Sequence, residues 1–133
     1  MKVVIDTNAL LAMLPKKSTY RLAWDKLIAG EYEIAVTTEI LLEYSEILAQ
    51  KTSPMVAENV LKLLTELPNA SLTTIYYHFN LIYNDADDNK FVDCAIAANV
   101  KYIVSNDKHF NVLKQIDFLN VEVVKIEDFI KSL

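Results

Sequence analysis

Lys2-Val3-Val4-Ile5-Asp6-Thr7-Asn8 opens the chain with a short apolar run that ends on Asp-Thr-Asn. Its β-branched, apolar residues stand on consecutive positions, without the alternation of a half-exposed strand, and so predict a central parallel strand covered on both faces. The run stops on Asp6 with no glycine nearby, so the strand delivers a carboxylate to its end. In open α/β sheets, ligand sites form beyond the carboxyl ends of the strands. Asp6 is therefore expected at such an edge, and Asn8 is expected to cap a helix beginning around Ala9 to Leu14. Turn and cap duty alone would also explain both residues. A functional reading requires other carboxylates to converge on Asp6.

The rest of the chain repeats the pattern. Strand-like runs recur at Glu33 to Thr37, Lys101 to Ser105 and Val121 to Ile126, with helix-like segments between them, which implies βα units and a parallel sheet. Thr38 to Gln50 carries the helical stripe Ile40, Leu41, Tyr44, Ile47 and Leu48, opened by a threonine cap. A second stripe follows Pro54, with Val56, Val60, Leu61, Leu63 and Leu64, and the two helices are expected to pack as a hairpin. A third helix is predicted from Asp88 to Asn99, with Phe91, Val92, Ala95 and Ile96 on its apolar face. A short terminal helix is predicted over Glu127 to Ser132. Pro68 to Tyr83 has no clean period, and only Leu81 to Tyr83 reads as a short strand.

At 133 residues and 53% hydrophobic content the chain is expected to form one globular domain. No apolar stretch approaches a membrane span and no signal segment is evident, so the expectation is a cytoplasmic protein without a membrane partner. The lone cysteine, Cys94, lies in the apolar stretch Phe91 to Ala98 and reads as a buried small hydrophobe. The single glycine, Gly30, removes the Gly-rich phosphate loops of Rossmann and P-loop proteins from contention. A net charge of -5 excludes a broadly basic nucleic-acid-binding surface, although not a local basic patch. Committing four acids to cations would leave the remainder nearly neutral.

Parallel strands all finish on one edge, and the helices that follow start there. Asp6 ends the first strand, Asp107 follows the strand Lys101 to Ser105, and Asp88 stands at a helix start. Glu43 lies about one and a half turns into the helix after the second strand. Four acids can thus reach one crevice. Spacing leaves two choices open: Asp93, rotated by about 140° from Asp88 around the helix, competes with it, and Glu39 and Glu46 compete with Glu43. Carboxylates a few Å apart raise one another's pKa unless a cation neutralises them. Hard divalent cations such as Mg²⁺ or Mn²⁺ select such oxygen ligands, and no His or Cys cluster offers a softer alternative. Carboxylate-held metals can activate a water and stabilise the leaving oxygen of a phosphodiester.

Read together, these motifs resemble the PIN domain, a small metal-dependent nuclease domain found in many toxins of toxin-antitoxin modules. The resemblance spans nearly the whole chain. Val3-Val4-Ile5-Asp6-Thr7-Asn8 resembles the family's opening strand with its first acid, and Thr38 to Glu43 its second helix, where the acid would be Glu43. Asp85-Ala86-Asp87-Asp88-Asn89-Lys90-Phe91 is similar to the third acidic motif of one subgroup, with Asp88 as the acid. Ile103-Val104-Ser105-Asn106-Asp107-Lys108-His109-Phe110 resembles the closing motif, in which Asp107 is the acid and Ser105 supports it. Asn106 departs from the pattern, since many relatives place Gly or Arg there.

The resemblance implies an α/β fold, a three-layer α/β/α arrangement around a central parallel sheet of four to five strands. It also implies endonucleolytic cleavage of RNA with one or two Mg²⁺ or Mn²⁺ ions, an antitoxin partner and a homodimer. Asp6, Asp88 and Asp107 would hold the metals, with Glu43 a ligand or an orienter of the attacking water. Asn8 and Ser105 would supply supporting hydrogen bonds. Lys16, Lys17, Arg21, Lys90, Asn106 and Lys108 are the candidates for substrate contacts, and His109 either touches substrate or only begins a helix. Two functions compete with an active ribonuclease toxin. One is a PIN-like module that binds RNA or protein without cleaving, against which the intact set of acids counts. The other is a phosphatase of the haloacid-dehalogenase type, whose chemistry needs an acid where this chain has Asn8.

Overall fold

The computed structural model describes residues 1–82, 86–115 and 120–133. Asp85, expected at the head of the third acidic motif, and Tyr83 lie outside them. The opening run forms β1 (Lys2–Ile5), in which Val3, Val4 and Ile5 are fully buried. There follow α1 (Thr7–Met13), α2 (Arg21–Ile28), β2 (Glu33–Val36), α3 (Thr38–Lys51), α4 (Pro54–Glu66) and β3 (Ala70–Leu72). A 3-10 turn at Ala86–Asp88 leads into α5 (Asn89–Ala97). Then come β4 (Tyr102–Val104), a 3-10 segment at Lys108–Gln115, β5 (Glu122–Val124) and α6 (Ile126–Lys131). The five strands form one sheet in the order β3-β2-β1-β4-β5, and every neighbouring pair is parallel. β1 is thus central, as its unbroken apolar run requires. Helices cover both faces, giving a three-layer α/β/α fold.

Local signals explain most of the boundaries. Thr37 caps α3 by accepting a hydrogen bond from the Ile40 amide at 3.1 Å, so the second strand stops at Val36 rather than including Thr37. Ser53 caps α4 in the same way, with Pro54 in the first turn where its missing N–H costs nothing. α3 and α4 pack as the expected hairpin. The Leu27, Lys26, Gly30 and Glu31 backbones close α2 in a Schellman turn, with Gly30 at φ 79°. Asn99, at φ 54°, closes α5 by the same bonds, from Val100 to Ala95 and from Asn99 to Ile96.

Two expectations, the cap of α1 and a strand at Leu81, are corrected, and two elements, β3 and α2, had not been predicted. The cap of α1 is Asp6, whose backbone is extended and whose Oδ1 accepts from the Ala9 amide at 2.7 Å; Asn8 lies in the helix's first turn and is exposed. The cause is pairing: the Asp6 amide still bonds the Val104 carbonyl, so Asp6 keeps strand geometry and the helix starts immediately after it. The stretch from Pro68 contains a strand after all, β3, an edge partner of β2. Leu81 and Ile82 form no strand. Helix α2, which had no predicted counterpart, buries Ala23, Trp24 and Leu27.

Candidate functional site

The C-terminal ends of β1 and β4 lie side by side, which brings Asp6 next to the segment Ser105 to His109. Asp6 is 4% exposed and held from two sides. The Ala9 amide bonds one oxygen, and the Ser105 hydroxyl donates to the other. The Ser105 oxygen in turn accepts the Asp107 amide at 2.9 Å, so one serine positions two of the acids. Asp107 Oδ1 accepts the His109 amide at 2.9 Å, which folds the loop back on itself. Burial raises the Asp6 pKa above 3.8; the Ser105 and Ala9 hydrogen bonds oppose this, and the charges of Asp107 and Glu43 raise it further.

Asp88 approaches from the other side, at the end of the 3-10 turn that opens α5. Although it occupies the cap position, its side chain makes no capping bond. Instead Asp88 Oδ2 lies 3.3 Å from His109 Nδ1, which is also 3.3 Å from Asp107 Oδ1. Ligand atoms of Asp88, Asp107 and His109 all lie within 4.8 Å of one another. The imidazole is a member of this cluster that the acidic pattern alone did not reveal. Its only signal in the sequence was its position two residues after Asp107.

Glu43 is placed by its neighbour Tyr44, whose buried hydroxyl donates to the Ile5 carbonyl and pins α3 to β1. The Thr7 hydroxyl donates to one Glu43 oxygen, and Lys90 Nζ bonds the other at 2.7 Å. Lys90, expected at substrate, is therefore engaged with Glu43. Its burial disfavours the charged form, yet the Glu43 bond and the surrounding acids leave its pKa raised. Glu43 opens onto a crevice of about 560 Å³ that Glu39, Glu46, Asp87 and Asp93 also line, whereas Asp6 and Asp107 line a cleft of about 230 Å³. The larger cavity is thus not where Asp6 lies; charge coupling between Asp6 and Glu43 relates the two.

Asp93, the competitor of Asp88, is 3% exposed and turns elsewhere. It accepts the Phe79 amide at 3.0 Å and lies 3.1 Å from His78 Nδ1, tying the chain after β3 to α5. The proposed substrate contacts separate as well. Lys16 and Lys17 are exposed beyond the far end of α1, about 10 Å along the helix from Asp6. Arg21 pairs with Asp25 and donates to the Leu14 carbonyl, closing the α1–α2 turn. Asn106 Oδ1 accepts the Ile126 amide at 3.1 Å and so caps α6. Lys108 is exposed beside Asp107, and Asn8 lines the Asp6 cleft.

Two carboxylates and an imidazole, Asp88, Asp107 and His109, could hold a divalent cation here, with Asp6 tied to Asp107 through Ser105. Burial raises the Asp6 pKa, and a cation held at this edge would oppose that.

The fold is shared with solved structures. One is VapBC2 from Rickettsia felis, bound in that crystal to a DNA fragment from its promoter: 17% identity, 94% of this chain and 98% of that chain covered, TM-score 0.64. Another is VapBC-1 from nontypeable Haemophilus influenzae, with 13% identity, coverage of 96% and 99%, and a TM-score of 0.60. The T. brucei RRP44 PIN domain follows with 12% identity, coverage of 98% and 79%, and a TM-score of 0.52. No curated protein sequence matches significantly. A family model described as the PIN domain matches residues 2–109, from β1 through the last member of the acidic cluster, and the chain belongs to that family.

Proposed function

We propose that the chain is a metal-dependent endoribonuclease using one or two Mg²⁺ or Mn²⁺ ions, and that it acts in the cytoplasm as the toxin of a toxin-antitoxin module. The observation that carries the proposal is the convergence of Asp88, Asp107 and His109 within 4.8 Å, beside an Asp6 fixed by Ser105. Asp6, Asp88 and Asp107 would hold the cation, with His109 or Glu43 completing the set. When bound, the cation lowers the pKa of a water and neutralises charge on the leaving oxygen. The chain's own part is preorganisation. Ser105 and the Ala9 amide hold Asp6 in one orientation, and Thr7 and Lys90 do the same for Glu43, which can then orient the attacking water. Asn8, exposed at the cleft, is left to meet substrate or ordered water.

Membership of the PIN family sets aside the phosphatase. The likeness in fold to two VapBC structures over nearly their full length supports an antitoxin partner, whose peptide would enter the acidic crevice beside Glu43. Leu42, Met55 and Val56 stand exposed on α3 and α4 and offer apolar surface for a homodimer. The test is cleavage of RNA with Mg²⁺ or Mn²⁺, after chelation, and by Asp6→Asn. Cleavage that survives both chelation and the substitution would sink the reading. Growth arrest on expression, relieved by a co-expressed partner, checks the toxin role.

A further inference from the structure

Beside the acidic centre lies a cleft of opposite charge. It begins at Ser105, Asn106 and Asp107 and extends over Lys108, Lys114 and Lys125, enclosing about 180 Å³. The three lysines come from separate places: Lys108 opens the 3-10 segment, Lys114 lies near its end, and Lys125 sits between β5 and α6. All three are exposed, and none makes an ion pair with another described residue. In a chain of net charge -5, three cations gathered on one concave surface with no ion pair to a described acid are a departure from the average. Lys90, the cation nearest Glu43, is by contrast already engaged. We infer that the cleft of Lys108, Lys114 and Lys125 is the backbone-phosphate track of single-stranded RNA, taking the phosphates on one side of the bond presented to Asp107.

The inference rests on the nuclease reading and deepens it. A centre of converging carboxylates repels a polyanion, so affinity has to come from cations placed to one side, far enough not to pair with the acids. Lysines suit that duty, since each contacts a phosphate as a point charge without reading a base. Their positions define a path: the strand leaves the scissile position past Asn106 and runs along the 3-10 segment towards β5. Lys16 and Lys17, at the opposite end of α1, are outside the track.

The test is fluorescence anisotropy with a short single-stranded RNA in the presence of EDTA, where nothing is cleaved, over roughly 50 to 200 mM salt. The triple variant Lys108→Gln, Lys114→Gln, Lys125→Gln is compared with wild type and with a control of equal charge, Lys51→Gln, Lys62→Gln, Lys131→Gln. Each phosphate contact on a single strand adds about 0.7 to the slope of log affinity against log salt, so three lost contacts lower it by about 2. Over that salt range wild-type affinity then falls about twentyfold more than that of the variant. An unchanged slope in the cleft variant, an equal change in the control, or tighter binding of double-stranded DNA would overturn the inference. The nuclease reading fails separately, through an Asp6→Asn protein that cleaves like wild type. Wild type that binds no RNA in EDTA would overturn the track, while the nuclease reading stands or falls by the cleavage assay.

Discussion

Replacing Asp6 by Asn is expected to abolish cleavage and at the same time to stabilise the fold in the absence of divalent metal. Asn caps a helix as well as Asp does, and its Oδ1 can keep the Ala9 amide bond. Its amide can donate to the Ser105 oxygen, which has two lone pairs and already accepts the Asp107 amide. What disappears is a charge that is 4% exposed and faces Asp107 and Glu43. Because burial and these neighbours raise the folded-state pKa of Asp6, the ionised carboxylate opposes folding. The penalty is complete above the folded pKa and vanishes below the ordinary value of 3.8. The variant is therefore expected to melt above the wild type at pH 7, where that penalty is fully present. Thermal unfolding in EDTA from pH 4 to 8 measures it, and the gap between variant and wild type should close as pH falls. Saturating metal should also close it: at ten times Kd the wild type gains about 1.4 kcal/mol that the variant lacks. A variant less stable than wild type at pH 7 in EDTA, or a gap indifferent to pH, would mean that the Asp6 charge does not oppose folding.

Other substitutions separate the supporting residues. Ser105→Ala removes the donor to Asp6 and the acceptor of the Asp107 amide, so cleavage should fall by about 10–100-fold and stability by about 1–3 kcal/mol, read from turnover and denaturant melts of one preparation. Asp93→Ala should lower stability by about 1–3 kcal/mol and make the segment from Thr73 to Ile82 more sensitive to limited proteolysis, because the Phe79 amide loses its acceptor. If it instead abolishes cleavage with the melt and proteolysis unchanged, Asp93 rather than Asp88 serves the metal. Burial pushes the Cys94 thiol up to about 12, so a thiol reagent at pH 8 should react only after denaturant is added.

What the sequence made legible was whatever depended on near neighbours. The caps at Thr37 and Ser53, the α3–α4 hairpin and the central place of β1 all follow from patterns a few residues long. Helix α2 escaped because Tyr20 offers no capping side chain to mark its start, and its buried set of Ala23, Trp24 and Leu27 is short. β3 escaped because three residues, Ala70 to Leu72, carry little pattern of their own. It is held by distant partners: the Asn69 amide group bonds the Leu27 and Tyr32 carbonyls, and the Thr73 amide bonds Val36.

The site shows the same division. Four acids could be named in order from strand ends, yet which residue caps α1 was decided by pairing between β1 and β4, which carries Asp6 as far as the Val104 carbonyl. That detail has a chemical consequence. A residue that ends a strand and caps the next helix without a spacer has its backbone set by two elements at once, so its carboxylate cannot drift from Ser105. His109 illustrates the converse: no spacing in the sequence marked it, and it joins the acids because Asp88 approaches it from a separate turn. The acids are brought together by strand ends and helix starts, not by attraction for one another, and the core under them, with Ile5, Tyr44 and Val104 buried, opposes their repulsion. In such an arrangement a bound cation would offset the repulsion among the acids, and metal binding and stability are expected to rise and fall together.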